Sequence, residues 1–258
     1  MSWRGAARGL KAMLVSAAYQ PFSAADVIAA FDAPHAPDQV SPIAVYAGWR
    51  NDPDLRRLLD AFPNRYEFQS VIAHYPGKVD RIKVLGQLLK STITVPGNVA
   101  EFGVFMGHSA LVLSDGITKC GAAKRLYLFD SFRGMPPTTQ GLDSFQEGDF
   151  NETSFERVQH LFRDHGHVTL VAGFFSETLS RTETGPLAFC HIDCDLYSSV
   201  LESIQYVYPR LSTGGIVVFD DYGFRTCVGA RKAVDEFCRS VDRSPIYLPT
   251  GQAVLIKN

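Results

Sequence analysis

From Pro96 onward, short and nearly continuous apolar runs alternate with segments of helical spacing, and this alternation restricts the chain to one fold class. The runs are Asn98–Phe102 (NVAEF), Arg125–Asp130 (RLYLFD), Val168–Ala172 (VTLVA), Leu187–Asp193 (LAFCHID) and Gly215–Asp220 (GIVVFD). Their lack of polar alternation is the mark of parallel strands covered on both faces. Ser109–Thr118, Ser154–Phe162, Ser199–Leu211 and Gly229–Ser240 read as the helices between them. Alternating strands and helices predict an α/β fold with a doubly wound, mostly parallel sheet. Two more runs, Pro245–Leu248 and Ala253–Ile256, flank the turn composition Pro249-Thr250-Gly251-Gln252. They predict an antiparallel hairpin at one edge, for seven strands in all.

Residues 1 to about 92 have a different texture: helix-like patches broken by the proline-rich stretch Ala33–Pro42 and by Pro53, Pro63 and Pro76. The domain reading is an N-terminal helical or lid segment, 1–92, followed by a catalytic domain, 93–258. Within the first part, Val79–Lys90 spaces Ile82, Val84, Leu85, Leu88 and Leu89 as an amphipathic helix that packs on the main domain.

At 258 residues the chain is long enough for one such domain plus an extension. A net charge of -2 argues against nucleic acid or an anionic membrane as partner. No apolar run is long enough to span a bilayer, and the first residues lack the pattern of a signal peptide. Five cysteines without a CxxC pair argue against a disulfide framework or a structural zinc site. Cys190 and Cys194 read as small apolar residues, and the expected compartment is the cytoplasm.

Four of the strands run directly into acidic residues: Glu101, Asp130, Asp193 and the pair Asp220-Asp221. In open α/β sheets ligands bind just beyond the carboxyl ends of the strands, so these acids are expected to converge on one crevice. The first turn, Glu101 to Ser109, reads ExGxxxGxS and lacks the dinucleotide fingerprint GxGxxG. Gly103 and Gly107 would admit a ligand to the backbone, and Ser109 would cap the following helix. Glu101 suits a cationic or polyhydroxylated ligand, and Asp130 stands where an acid takes a ribose. The pattern favours S-adenosylmethionine (SAM) over NAD.

At the other end of the crevice lie His191-Ile192-Asp193-Cys194-Asp195-Leu196-Tyr197 and Asp220-Asp221-Tyr222-Gly223. Carboxylates from two adjacent strand ends make an all-oxygen site that favours Mg²⁺ or Ca²⁺ over zinc. The alternative is pairing of some of them with Arg210, Arg225 or Arg231. His191 reads as a satisfied strand histidine, and His108 as a polar contact in the cofactor loop.

In this combination the chain resembles the TylF, or macrocin O-methyltransferase, family of antibiotic-sugar O-methyltransferases. The resemblance rests on VPGNVAEFGVFMGHS, LYLFDSFRGMPP, the GFFSETL segment at Gly173, HIDCDLYSSV and YPRLSTGGIVVFDDYG, in order across Val95–Gly223. It implies a Rossmann-like SAM-dependent methyltransferase fold, Mg²⁺, and a sugar hydroxyl of a glycoside or glycan as acceptor. It also implies Asp193, Asp220 and Asp221 as metal ligands and Asp193 or Asp195 as the base. Cofactor contacts would come from Glu101, Gly103, Gly107, His108, Ser109, Asp130, Ser131, Gly173 and Asp193. Family members often carry two glycines before the serine, where this chain has Gly107-His108. A homo-oligomer is expected, with acceptor specificity in the N-terminal segment. The competing readings are a catechol-type enzyme acting on a phenolic diol and a non-catalytic glycan-binding protein. The loop Gly134–Phe150, at this length, is expected to close over the site.

Overall fold

A computed structural model of the chain describes residues 77–258. The segment expected to carry acceptor specificity, with its proline-rich loop, lies outside the described residues, apart from its last helix. That helix is α1 (Gly77–Ser91). It precedes β1 (Asn98–Phe102), α2 (His108–Lys119), β2 (Leu126–Asp130), α3 (Phe155–Leu161) and β3 (Val168–Ala172). Then come α4 (Phe175–Thr178), β4 (Leu187–Ile192), α5 (Tyr197–Arg210), β5 (Leu211–Phe219), α6 (Val228–Ser240), β6 (Ile246–Tyr247) and β7 (Ala253–Ile256).

The seven strands form one sheet in the order β3-β2-β1-β4-β5-β7-β6. Strands β1 to β5 pair in parallel, and β7 runs antiparallel to both β5 and β6. The order reverses between β1 and β4, which opens the crevice at their carboxyl ends. The expected strands are all present. One boundary differs in kind: Leu211, read from the sequence as the end of a helix, is extended (φ -69, ψ 126) and already begins β5. The chain passes from helix to strand without a loop, and the extra residues bulge between the Leu187–Leu211 and Phe189–Ile216 pairs.

Register places Glu101 beside His191, His191 beside Val218, and Val218 beside Val254. Laterally paired residues share a face, so Val99, Phe189, Val218 and Val254 pack with Leu85 and Leu89 of α1 and Leu111, Leu113 and Ile117 of α2. The alternate residues Ala100, Phe102, Cys190, Ile192, Val217 and Phe219 meet α5 and α6 on the other face. Leu85 and Leu89 are each 1% exposed, so the expected apolar stripe does dock α1 on the sheet domain. Burial of each contributes about 1.5–3 kcal/mol. Gly116 makes room, since a Cβ there would lie 2.8 Å from Leu89 Cδ2.

The Gly134–Phe150 segment is a compact loop with its two ends tied together. The Met135 amide donates to the Asp149 carbonyl (2.8 Å) and the Gly148 amide to the Met135 carbonyl (3.0 Å).

Candidate active site

Strand β1 delivers Glu101, fully buried, to the bottom of the crevice. Its Oε1 lies 2.7 Å from Nδ1 of His191, and Nε2 of the same ring lies 3.2 Å from Oδ1 of Asp220. The imidazole thus bridges two carboxylates, and the reading of His191 as a satisfied strand histidine holds. A neutral imidazole has one N–H for two such contacts. Burial, opposed by the His191 hydrogen bond, its charge and the Ser109 hydroxyl, raises the Glu101 carboxyl above its ordinary range. A proton shared between Glu101 and Nδ1 satisfies one contact and leaves Nε2–H for Asp220. Glu101 Oε2 is then buried without a hydrogen-bond partner. Such an atom is costly unless a donor reaches it.

The first turn is built differently from expectation. Gly107, at φ 87, is the N-cap of α2, with no side-chain cap, and Ser109 lies inside the first helical turn near Glu101. A serine cap needs extended backbone, whereas this helix starts from a left-handed residue that only glycine adopts at little cost. The two glycines make room for the protein itself. A Cβ on Gly103 would lie 1.8 Å from the Asp193 carbonyl oxygen, and one on Gly107 would lie 2.9 Å from Leu161 Cδ2. Asp130 accepts three backbone N–H bonds: from Val104 (2.7 Å) and Phe105 (2.9 Å) on Oδ2, and from Phe132 (2.6 Å) on Oδ1. It therefore holds the cofactor loop in shape. Ser131 anchors the next turn through the Gly134 carbonyl (2.6 Å). Gly173 lies under α4, where a Cβ would meet Thr178 and Glu177 at 2.9 and 3.0 Å. His108 opens α2 at the same rim, half-buried.

Of the three carboxylates assigned to a metal, Asp193 stands close to Asp220 and also acts on the charge of Asp221. His191, Asp193 and Asp220 form one cluster, and Asp195, Asp221 and Cys227 another. Asp220 and Asp221 both follow Phe219, the last residue of β5, and there Asp220 meets His191 whereas Asp221 meets the Asp195 amide. Asp220 is already engaged. Besides His191 it accepts from Gln252 Nε2 (2.7 Å) and is ion-paired with Arg81 of α1. Its cationic partner is thus Arg81, not Arg210, which donates to the Tyr206 carbonyl (2.8 Å), nor Arg231, which faces Asp235 (3.8 Å).

Asp221 accepts the Asp195 amide on Oδ2 (3.0 Å), and the Cys227 thiol donates to Asp195 Oδ1 (3.4 Å). Asp195 itself is left-handed (φ 56), a conformation Asp tolerates better than most residues. Burial first, then the negative charges of Asp195 and Asp193, push the Asp221 carboxyl well above the usual range, against the pull of Arg81. Carboxylate oxygens that repel one another in this way fit a hard divalent cation. Burial also raises the thiols of Cys190 and Cys194, in keeping with their reading as apolar residues.

Arg81, Gln252, Cys227 and Asp143, which accepts the Tyr197 amide (2.9 Å), belong to this site and escape sequence reasoning. Arg81 lies in an ordinary helical stretch, and Gln252 in a segment that reads only as a turn. Asp143 sits in a loop, and Cys227 in a sequence with no ligand spacing.

Among the described residues no helix is long and apolar enough to cross a membrane. The macrocin O-methyltransferase (TylF) family matches residues 77–245. An 8-demethyl-8-(2,3-dimethoxy-alpha-L-rhamnosyl)-tetracenomycin-C 4'-O-methyltransferase from Streptomyces olivaceus is 32% identical over 64% of this chain and 68% of its own length. The mycinamicin III 3''-O-methyltransferase of Micromonospora griseorubida is 30% identical over 64% of this chain and 70% of its own. The structure of the O-methyltransferase NovP superposes with a TM-score of 0.63 at 25% identity, covering 70% of this chain and 80% of that one. On the match over residues 77–245 and the identity to its relatives, the chain belongs to the macrocin O-methyltransferase family of enzymes.

Proposed function

We propose that the protein transfers the methyl group of SAM to a sugar hydroxyl of a glycosylated natural product or glycan, with Mg²⁺ as cofactor. The observation that carries this reading is the pairing of two unmet electrostatic demands at one crevice. Glu101 offers a buried, unpartnered oxygen, and the buried Asp221 stands with the half-buried Asp193 and Asp195. The first fits the ammonium of the SAM amino-acid moiety, and the second fits a divalent ion. Two relatives named for methylation at a 4' or 3'' oxygen, one of them of a rhamnosyl-bearing tetracenomycin, support the sugar as acceptor.

Each residue then has a task. Glu101 and Ser109 receive the amino-acid end of SAM. Asp130 uses three acceptor positions on the loop amides, and a carboxylate offers about four, which leaves one for a ribose hydroxyl. Gly103, Gly107, His108, Ser131 and Gly173 shape the rim around the cofactor. Asp193 and Asp221 bring mutually repelling carboxylates to the cation, and Asp220 brings one already held by Arg81, His191 and Gln252. When bound, SAM supplies the electrophilic methyl group and the cation lowers the pKa of a neighbouring hydroxyl. Asp195 or Asp193 takes the hydroxyl proton on its carboxylate. Most of the rate comes from alignment of the acceptor oxygen with the methyl group.

An acceptor panel that sets vicinal diols on deoxysugar glycosides against diols on aromatic rings tests this reading. Methylation of a sugar is expected. Turnover of phenolic diols alone would replace it with the catechol-type activity. No turnover with intact SAM binding would favour a non-catalytic role.

A further inference from the structure

Helix α5 begins directly after the turn that presents Asp195, yet its own N-cap, Leu196, is apolar and buried and offers no side-chain oxygen. The orphan amides of a helix start need an acceptor from elsewhere. It comes from the 134–150 loop. Asp143 Oδ1 accepts the Tyr197 amide (2.9 Å), and Oδ2 accepts the Thr139 amide (2.7 Å) within its own loop. The carboxylate fits a slot whose far wall is Gly229 of α6, where a Cβ would lie 2.3 Å from Asp143 Oδ1. Two elements distant in sequence are thus shaped around one loop side chain. The amide it holds lies two residues past Asp195, whose left-handed backbone is fastened on the other side by Asp221 (3.0 Å).

We propose that Asp143 is a positioning residue that, by capping the Tyr197 amide, fixes the Cys194–Leu196 turn and so presents Asp195 to the acceptor hydroxyl. This rests on the reading of Asp195 as a proton acceptor in sugar methylation. The loop then does more than exclude water, since its docking completes the geometry of the base.

Two variants of the full chain, Asp143→Ala and Gly229→Ala, test the proposal by independent routes. Gly229→Ala expels the Asp143 carboxylate, its Cβ also standing 3.1 Å from the Tyr197 nitrogen, and the gain in α6 propensity offsets the lost cap. Both variants should lose kcat by roughly 10- to 100-fold, the cost of a small misplacement, with KM for SAM unchanged. Asp143→Asn keeps an oxygen for Tyr197 but turns its NH2 toward the Thr139 amide, so it should recover only part of the activity. Hydrogen exchange at the Tyr197 amide should accelerate in both alanine variants. Unchanged kcat in both, or an unchanged Tyr197 exchange rate, would overturn the proposal. If the wild-type chain methylates no sugar, the functional reading fails. The exchange measurement still decides whether Asp143 holds the turn.

Discussion

Arg81, on the helix that precedes the sheet, is ion-paired with Asp220 at the end of β5. The same guanidinium lies 4.6 Å over the ring of Phe224, and the Arg81 carbonyl accepts from Gln252 (3.5 Å), which also donates to Asp220. Helix α1 therefore does more than cover the sheet. It places a fixed positive charge against one of the three carboxylates assigned to the cation.

Removing that charge should strengthen cation binding. Arg81→Met is expected to bind Mn²⁺ about tenfold more tightly by calorimetry at low salt, with the gain shrinking as ionic strength rises. Weaker binding in the variant would show instead that Arg81 is needed to hold Asp220 in a ligating orientation.

Glu101 and Asp221 both ionise at higher pH in the folded chain than in the unfolded one, chiefly because burial penalises their charge. Above the ordinary carboxylate value, 4.5 for Glu101, the unfolded chain releases its proton first. Stability of the ligand-free protein should therefore decline as pH rises from that value through the raised folded pKa of each group. Melting temperatures across this range, without metal or SAM, should fall as pH increases. Glu101→Gln and Asp221→Asn should each flatten the slope, and an unchanged slope in both would remove these groups as its source.

A SAM ammonium against Glu101 Oε2 favours the ionised carboxylate, so SAM binding should release a proton. Calorimetry in buffers of different ionisation enthalpy reads this directly. Glu101→Gln should abolish the release and weaken binding by about 1.5–3 kcal/mol, roughly 10- to 100-fold. Equal proton release from variant and wild type would assign it to another group.

Asp193 is assigned to the cation and to proton removal, and its charge also reaches Glu101. Asp193→Asn should abolish turnover while leaving SAM affinity nearly intact. Unchanged activity would sink its assignment as ligand or base.

The sheet was legible because buried parallel strands must be apolar along their whole length, and the acids that end them interrupt that pattern abruptly. Glu101, Asp130, Asp193 and the Asp220-Asp221 pair stand out for this reason. Which of them meet is a matter of strand order and register. Asp221 meets the Asp195 turn, whereas its neighbour Asp220 shares His191 with Glu101. Arg81 and Gln252 reach Asp220 from separate parts of the chain, and nothing local marks either. The glycines of the first turn were visible, but their reason was not. Gly103 is small because the carbonyl of Asp193 crosses it, a contact between strand ends 90 residues apart. The Ser109 cap was misjudged because a left-handed start at Gly107 satisfies the same local pattern.

The most direct test of the account is transfer of labelled methyl from SAM to a panel of deoxysugar glycosides, measured with Mg²⁺ and again after EDTA. The account predicts labelled sugar in the first case, loss of label with EDTA, and recovery when Mg²⁺ is restored. Methyl transfer to sugar that persists undiminished in EDTA would contradict the role given to Asp193, Asp220 and Asp221. Failure to bind SAM at all would contradict the reading of Glu101 and Asp130, and the proposed function with it.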